Sequence, residues 1–242
     1  AREAYKANFG EYPSGDITQV NENDIPDHDI LFAGFPCQPF SIIGNGKGFD
    51  DTRGTLFFDI ARILAAKKPK AFILENVKQL IGHNKGETLK KILHVLREEL
   101  GYTVYYKSLN ALDYGLPQKR ERVIIVGFYQ PMVFQFPPKQ NKFTPLSDIL
   151  ERDVDEKYFA SDYIREKRWA EHTPTVSPSI WHENKAGHIS SYPYSCALRA
   201  GASYNYLLVD GKRRLTPREM LRLQGFPDSF KIAVTESQTR KQ

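Results

Sequence analysis

Apolar residues along this chain gather into short unbroken runs, separated by longer stretches with helical spacing. Residues 30–35 (Ile-Leu-Phe-Ala-Gly-Phe), 71–77 (Ala-Phe-Ile-Leu-Glu-Asn-Val) and 123–128 (Val-Ile-Ile-Val-Gly-Phe) have the length and composition of buried strands. Between them, residues 55–67 and 87–100 repeat apolar positions at helical intervals. The second does so through Leu89, Ile92, Leu93, Leu96 and Leu100, with Gly101 as its stop. Strand, helix, strand, helix, strand predicts an α/β fold built on a doubly wound, mostly parallel sheet with helices on both faces. A later helix is predicted from Thr216, where Thr-Pro-Arg-Glu forms a capping box with proline at the first helical position, to Gly225.

The texture changes between Phe128 and Arg213. Pro131, Pro137, Pro138, Pro145, Pro174, Pro178 and Pro193 break the chain, and no long periodic helix is visible. A small irregular β-rich domain is expected over residues 130–212, set into a larger α/β domain formed by 1–129 and 213–242. Within its most pointed stretch, residues 190–206, Tyr204 and Tyr206 are expected in the core. Arg199 and Asn205 have side chains able to pair bidentately with guanine and adenine, although polar side chains near turns are also commonly solvated or capping.

Candidate chemistry sits at the strand ends. Ligands of open α/β sheets collect at the carboxyl ends of the parallel strands. Cys37, set between two prolines where the first run ends, is there a candidate nucleophile; alone, it could equally be a small buried hydrophobe. Glu75 and Asn76 end the second run. Arg120 and Arg122, two apart so that a continuous strand would put them on one face, stand at the mouth of the third. Taken singly, Glu75 and Arg122 also read as a surface ion pair, and Asn76 as a solvated cap.

In this order, Pro36-Cys37-Gln38, Glu75-Asn76-Val77, the Gln118, Arg120, Arg122 spacing and residues 213–227 (Arg-Arg-Leu-Thr-Pro-Arg-Glu-Met-Leu-Arg-Leu-Gln-Gly-Phe-Pro) resemble the blocks of the DNA cytosine-5 methyltransferase family. Residues 15–20, 48–49, 53–62 and 110–115 are especially similar to the bacterial HhaI-type enzymes. The likeness spans residues 1 to about 129 and 213–242. It implies a Rossmann-like methyltransferase that moves a methyl group from S-adenosylmethionine to carbon 5 of a cytosine flipped out of double-stranded DNA, typically in a bacterial restriction-modification system. By the same resemblance, Cys37 adds to carbon 6, Glu75 serves N3 and Arg122 holds O2. Arg120 orients the cysteine loop and the flipped nucleotide, and Asn76 supports that loop. Asp16 and Ile17 would meet the adenine of the cofactor, and Phe35 and Pro36 would border its methionine. Taken alone, Asp16 could equally be a turn residue.

Cytosine in a duplex must be swung out before carbon 6 can be reached. Residues 41–53, glycine-rich from Gly44 to Gly48, suit a lid closing over such a substrate, with an ordinary surface loop as the plain alternative. Gln38, Ser41, Lys47 and Arg53 are therefore expected to contact DNA, together with Arg199 and Asn205 of the target-recognition region at 130–212. The shortness of that region suggests a site of about four to six base pairs.

Composition changes this picture little. Thirty-four Lys and Arg against 29 Asp and Glu give a net charge of +5, which favours a polyanionic partner without demanding one. Two cysteines, Cys37 and Cys196, make no disulfide framework and suit a reducing cytoplasm; the six histidines show no metal-ligand spacing with them. The family's glycine-rich cofactor loop and its last motif find no counterpart here. An incomplete catalytic domain is therefore expected, with exposed apolar edges and a complementing polypeptide as one possible partner. Alternative functions are an inactive fragment or subunit of a split methyltransferase that contributes DNA binding, and an RNA cytosine-5 methyltransferase.

Overall fold

The structure is a computed structural model describing residues 1–36, 56–140, 142–200 and 202–239. It divides into two compact units. One comprises Ala1–Pro13, Asn110–Arg120 and Lys139–Gln242; the other comprises Ser14–Leu109 and Glu121–Pro138. Helix α1 (Arg2–Phe9) opens the chain within the first of these.

The second unit is the α/β one. It contains β1 (Ile30–Gly34), α2 (Leu56–Lys67), β2 (Ala71–Val77), α3 (Glu87–His94), the first seven residues of β3 (Thr103–Asn110) and, after the two-residue β4 (Gln118–Lys119) of the other unit, β5 (Glu121–Phe128). The sheet order is β1-β2-β5-β3. Strands β1 and β2 run parallel, from Ile30 opposite Ala71 to Gly34 opposite Glu75, as the alternation of strand and helix predicts. β5 instead runs antiparallel to β2, with Val77 opposite Arg122. The reason is topological: β5 follows β3 without an intervening crossover helix, and only such a crossover returns a strand in the same direction.

Alternation along β2 sends Phe72, Leu74 and Asn76 to the buried face. The first two join Phe57, Leu64, Ile92, Leu96, Val123 and Ile125 in the core of this unit. Burying a side chain of the size of Phe72 stabilises by about 1.5–3 kcal/mol. Gly127 faces Phe72 so closely that a Cβ there would lie 2.1 Å from the ring, which is why this strand position carries no side chain. The predicted helix at 87–100 is present but finishes in a π turn, Val95–Glu99, before Gly101 at φ 73°. β1 lies at the sheet edge and leaves Ile30 and Phe32 exposed, Phe32 by 70%.

The first unit is built on a three-stranded antiparallel sheet ordered β7-β6-β9, from β6 (Ile180–Glu183), β7 (Ile189–Tyr192) and β9 (Leu207–Val209). A short parallel pairing joins β4 to β8 (Ser195–Cys196). Around them lie α4 (Leu146–Ile149), α5 (Asp162–Glu171) and α6 (Pro217–Leu223). The capping box that predicts α6 is complete: Thr216 Oγ1 accepts from the Glu219 N–H, and the Glu219 carboxylate accepts from the Thr216 N–H. The helix stops at Gly225, with φ 83°.

Two expectations for this region need correction. Helix α5 was not visible as a periodic pattern, because the side chain it buries is Arg168 rather than a row of aliphatic residues. Tyr204 is not core; it is 55% exposed, with the Arg214 guanidinium 4.0 Å from its ring centroid. Tyr206 does pack against the buried cluster of Leu146, Ile180, Leu207 and Leu223.

Candidate active site

In the α/β unit, parallel pairing brings the ends of β1 and β2 level, so Gly34 and Glu75 are register partners and the Phe35 N–H reaches the Glu75 carbonyl at 3.4 Å. Asn76 is buried, and a buried amide must find partners. Its Nδ2 donates to the Phe35 carbonyl at 2.9 Å, and its Oδ1 accepts from the Val77 N–H at 2.8 Å. The end of β2 therefore holds the backbone of residue 35, and Pro36 follows, exposed. Cys37, Gln38, Ser41, Lys47 and Arg53 lie outside the described residues.

From the neighbouring strand comes Arg122. Its Nε is 2.6 Å from Glu75 Oε1, within ion-pair distance but away from the N–H axis, so the contact is charge against charge. Its Nη1 donates to the Glu121 carbonyl at 2.9 Å. Lys78 closes the rim through Glu121 at 2.6 Å. Both Glu75 and Arg122 remain partly exposed, at 40% and 22% of their side chains. A carboxylate and a guanidinium so arranged present an acceptor and several donors to one small space, a combination suited to the polar edge of a planar ligand.

Arg120 departs from the expected pattern. It falls between β4 and β5 rather than within a strand, and it belongs to the other unit. Its N–H goes to Asn110 Oδ1 and the Gln118 carbonyl, and its carbonyl accepts from the Ala111 N–H, in place of ladder pairing. The even spacing of Arg120 and Arg122 thus does not report a shared strand face.

Asp16 caps a 3₁₀ turn, Ile17–Gln19. Its Oδ1 takes both the N–H and the hydroxyl of Thr18, at 3.0 and 2.9 Å, and these hydrogen bonds, the backbone one foremost, hold its carboxyl below the ordinary carboxylate value. Ile17 is 39% exposed beside it. An exposed apolar side chain next to an ionised carboxylate whose Oδ2 no described residue engages fits an aromatic ring bearing an amino group, as adenine does.

Sequence reasoning missed the residue that fixes this turn. Arg62 on α2 donates from Nη2 to the Ile17 carbonyl at 2.6 Å, while Nη1 pairs with Glu22 at 2.7 Å and Nε with Asp59 at 3.0 Å. Burial pulls its pKa down, but hydrogen bonds to Asp59 and Glu22 outweigh that and leave it raised. The available signal is the i,i+3 spacing of Asp59 and Arg62 on a predicted helix, which by itself announces no more than a surface ion pair.

In the other unit, Arg199 is exposed, its N–H donating to the Tyr206 hydroxyl at 3.0 Å. Asn205 is partly buried, and its Oδ1 is enclosed without a hydrogen-bond partner among the described residues. Arg222 of α6 pairs with Asp228 through two 2.7 Å contacts. Among the described residues, no helix is long and apolar enough to cross a membrane. No group of three or more His, Cys, Asp or Glu among them could hold a metal ion.

Comparison with known proteins gives concordant findings. A family model described as C-5 cytosine-specific DNA methylase matches residues 1–242. The type II methyltransferase M.NgoBI of Neisseria gonorrhoeae is 61% identical over 246 residues, covering 100% of this chain and 77% of that protein. M.HhaI of Haemophilus parahaemolyticus, also a type II methyltransferase, is 43% identical over 262 residues, covering 100% of this chain and 79% of that protein. Among solved structures, the Entamoeba histolytica methyltransferase EhMeth superposes with a TM-score of 0.66 at 17% identity, covering 99% of this chain and 80% of that one. That last likeness bears on the fold.

Proposed function

We propose, from the premise that this chain belongs to the C-5 cytosine-specific DNA methylase family, that it methylates carbon 5 of a cytosine extruded from a short specific duplex site, as the modifying enzyme of a bacterial type II restriction-modification system. The relatives' shared description as type II methyltransferases supports the latter part. S-adenosylmethionine, when bound, supplies an electrophilic methyl group. Asp16 and Ile17 would hold its adenine, and Phe35 and Pro36 would border its methionine.

In this reading the Cys37 thiolate forms a bond to carbon 6 of the cytosine, and the electron pair displaced from the 5,6 double bond makes carbon 5 nucleophilic. Glu75 serves N3 and Arg122 serves O2, the two adjacent edge atoms on which charge gathers as the thiolate adds. After methylation, loss of the carbon 5 proton and expulsion of the thiolate restore the aromatic ring. Asn76 fixes the approach of the cysteine loop through Phe35, and Arg120 orients that loop and the nucleotide. Gln38, Ser41, Lys47 and Arg53 contact DNA from the loop after Cys37. Residues 130–212, with Arg199 and Asn205, read the target sequence, while 1–129 and 213–242 form the catalytic domain. The bacterial cytoplasm, where DNA and cofactor meet, is the compartment this chemistry requires.

The observation that carries the reading is the 2.6 Å approach of Arg122 to Glu75 at the strand end where Asn76 grips Phe35, two residues before Cys37. The test is incubation of the full-length protein with S-adenosylmethionine and duplex DNA containing 5-fluorocytosine, which cannot lose its carbon 5 substituent as a proton. A covalent protein–DNA adduct is expected, absent in Cys37→Ser. Failure to form it, or its persistence in that variant, would refute the assignment. A parallel incubation with RNA distinguishes the nucleic acid.

A further inference from the structure

Arg168 of α5 has a side chain only 3% exposed. Taking a guanidinium out of water is costly unless its donors are met, and burial draws its pKa below the ordinary arginine value. Its Nη2 meets two acceptors from different parts of the chain: Glu183 Oε2 at 2.7 Å, and the backbone carbonyl of Asn205. Glu183 is the last residue of β6, and Asn205 lies just ahead of β9. These strands are antiparallel neighbours with His182 opposite Leu207, and the Glu183 N–H donates to the Tyr206 carbonyl at 3.1 Å. The end of β6 and the start of β9 therefore lie at one end of the sheet.

Two exposed segments are rooted there. One is the turn at 184–188, where Asn184 Oδ1 collects the N–H groups of Ala186 and His188. The other leads into β9 and exposes Ser203 and Tyr204. Helix α5, which carries the guanidinium, is itself fastened to the sheet: Trp169 and His172 pack on the buried Trp181, with ring centroids 5.1 and 4.8 Å away. A cleft of about 240 Å³ lies beside the anchor, lined by Lys167 and Arg168 of α5, Glu183 at the end of β6, and Tyr204 and Asn205, and it leaves the segment before β9 space to shift if the guanidinium lets go.

We propose that Arg168 is a positioning residue for DNA-sequence recognition: its buried guanidinium sets the spacing of the two loop roots, so that the side chains they expose meet base edges in fixed register. Bidentate base contacts tolerate only small displacements, so a pair of reading loops needs such an anchor. The inference rests on the reading of residues 130–212 as the recognition region.

The site modified by the wild-type enzyme is mapped by bisulfite sequencing, and methyl transfer is then measured on duplexes carrying that site or single base-pair variants of it. Arg168→Lys keeps the charge, but its ammonium ends one bond short of the position from which Nη2 meets both acceptors. Its preference for the mapped site, as a ratio of kcat/KM values, should fall about tenfold, since one lost base discrimination is of that size. KM for DNA should rise, while the single-turnover rate at saturating DNA stays within about twofold. Hydrogen exchange of amides 184–188 and 203–206 should quicken in the same variant. Glu183→Gln, at a side chain one-third exposed, loosens the anchor from its other side and serves if Arg168→Lys does not fold. An unchanged site preference, or unchanged exchange at both segments, overturns the proposal. If the wild type modifies no DNA, the functional reading falls, and exchange alone then decides whether Arg168 holds the loops.

Discussion

Asn76 Nδ2 donates to the Phe35 carbonyl over 2.9 Å, so a buried amide near the end of a strand fixes the backbone two residues before Cys37. Replacing the amide leaves that carbonyl and the Val77 N–H without partners. Asn76→Ala should lower stability by about 1–3 kcal/mol, the cost of orphaned buried polar groups. It should also slow adduct formation with 5-fluorocytosine DNA by about a hundredfold, the penalty for a displacement near 1 Å in a reacting group. Thermal melting and single-turnover trapping measure the two separately. A fall in stability with an unaltered trapping rate would show that Asn76 supports the fold alone.

Arg213 and Glu219 form a two-pronged ion pair, at 2.9 and 2.8 Å, around a carboxylate with no exposure. The same carboxylate caps α6 at Thr216 and accepts the Glu151 N–H at 2.8 Å. Removing one partner of such a pair strands a buried charge and costs about 3–5 kcal/mol. Glu219→Ala should therefore melt far below the wild type in urea titration. The double variant Arg213→Met/Glu219→Leu should recover part of the loss, because neither charge is left behind, although the α6 cap stays broken.

These two networks differ in how far they can be read from the sequence. Helix α6 is legible because its stabilisation is local: Thr216, Pro217 and Glu219 sit within one turn, and the cap they form is encoded by their spacing. Strands β1 and β2 are legible because continuous apolar runs bounded by polar residues have few other uses. The direction of β5 is not, since its residues are equally apolar in either orientation and only the connection after β3 decides. Helix α5 escapes because a buried guanidinium with acceptors at Glu183 and Asn205 replaces the aliphatic stripe, and those acceptors are distant in sequence. At the site, Glu75 and Asn76 stand out as polar residues ending an apolar run, and Arg122 as one that opens another. Arg62 does not, because its decisive partner is a backbone carbonyl at Ile17, which no side-chain pattern announces.

Burial, more than the nearby Lys119 and Arg199 can offset, pushes the Cys196 thiol above the ordinary value of 9.0. A thiol with a raised folded-state pKa favours the fold while neutral. That contribution is whole below the unfolded-state value and is lost as pH rises through the folded one. Iodoacetamide at pH 7.5 should therefore label Cys196 more slowly than a free thiol peptide, with its rate still climbing at pH values where the peptide's has levelled off. Peptide mass spectrometry resolves Cys196 from Cys37. Rapid labelling of Cys196 at neutral pH would contradict its packing against the buried cluster of Leu146, Ile180, Leu207 and Leu223.

Arg62 ties three separate features of the α/β unit to one guanidinium: the Ile17 carbonyl, Glu22 and Asp59. Asp16 itself gains nothing from burial, so its orientation depends on the 3₁₀ turn that Arg62 anchors from below. Arg62→Ala releases the turn without touching Asp16. Binding of S-adenosylmethionine, followed by calorimetry in the absence of DNA, should weaken about ten- to fiftyfold, corresponding to the loss of one or two charge-assisted hydrogen bonds. The transfer rate at saturating cofactor should change little, because nothing near Glu75 and Arg122 has moved. Arg62→Lys keeps a charge for Glu22 or Asp59 but cannot also reach Ile17, and should fall between the two. Should Arg62→Ala lower the melting temperature while Asp16→Ala and Arg62→Ala both bind the cofactor as the wild type does, the Asp16–Ile17 turn would lie outside the cofactor site, and adenine would have to be held elsewhere.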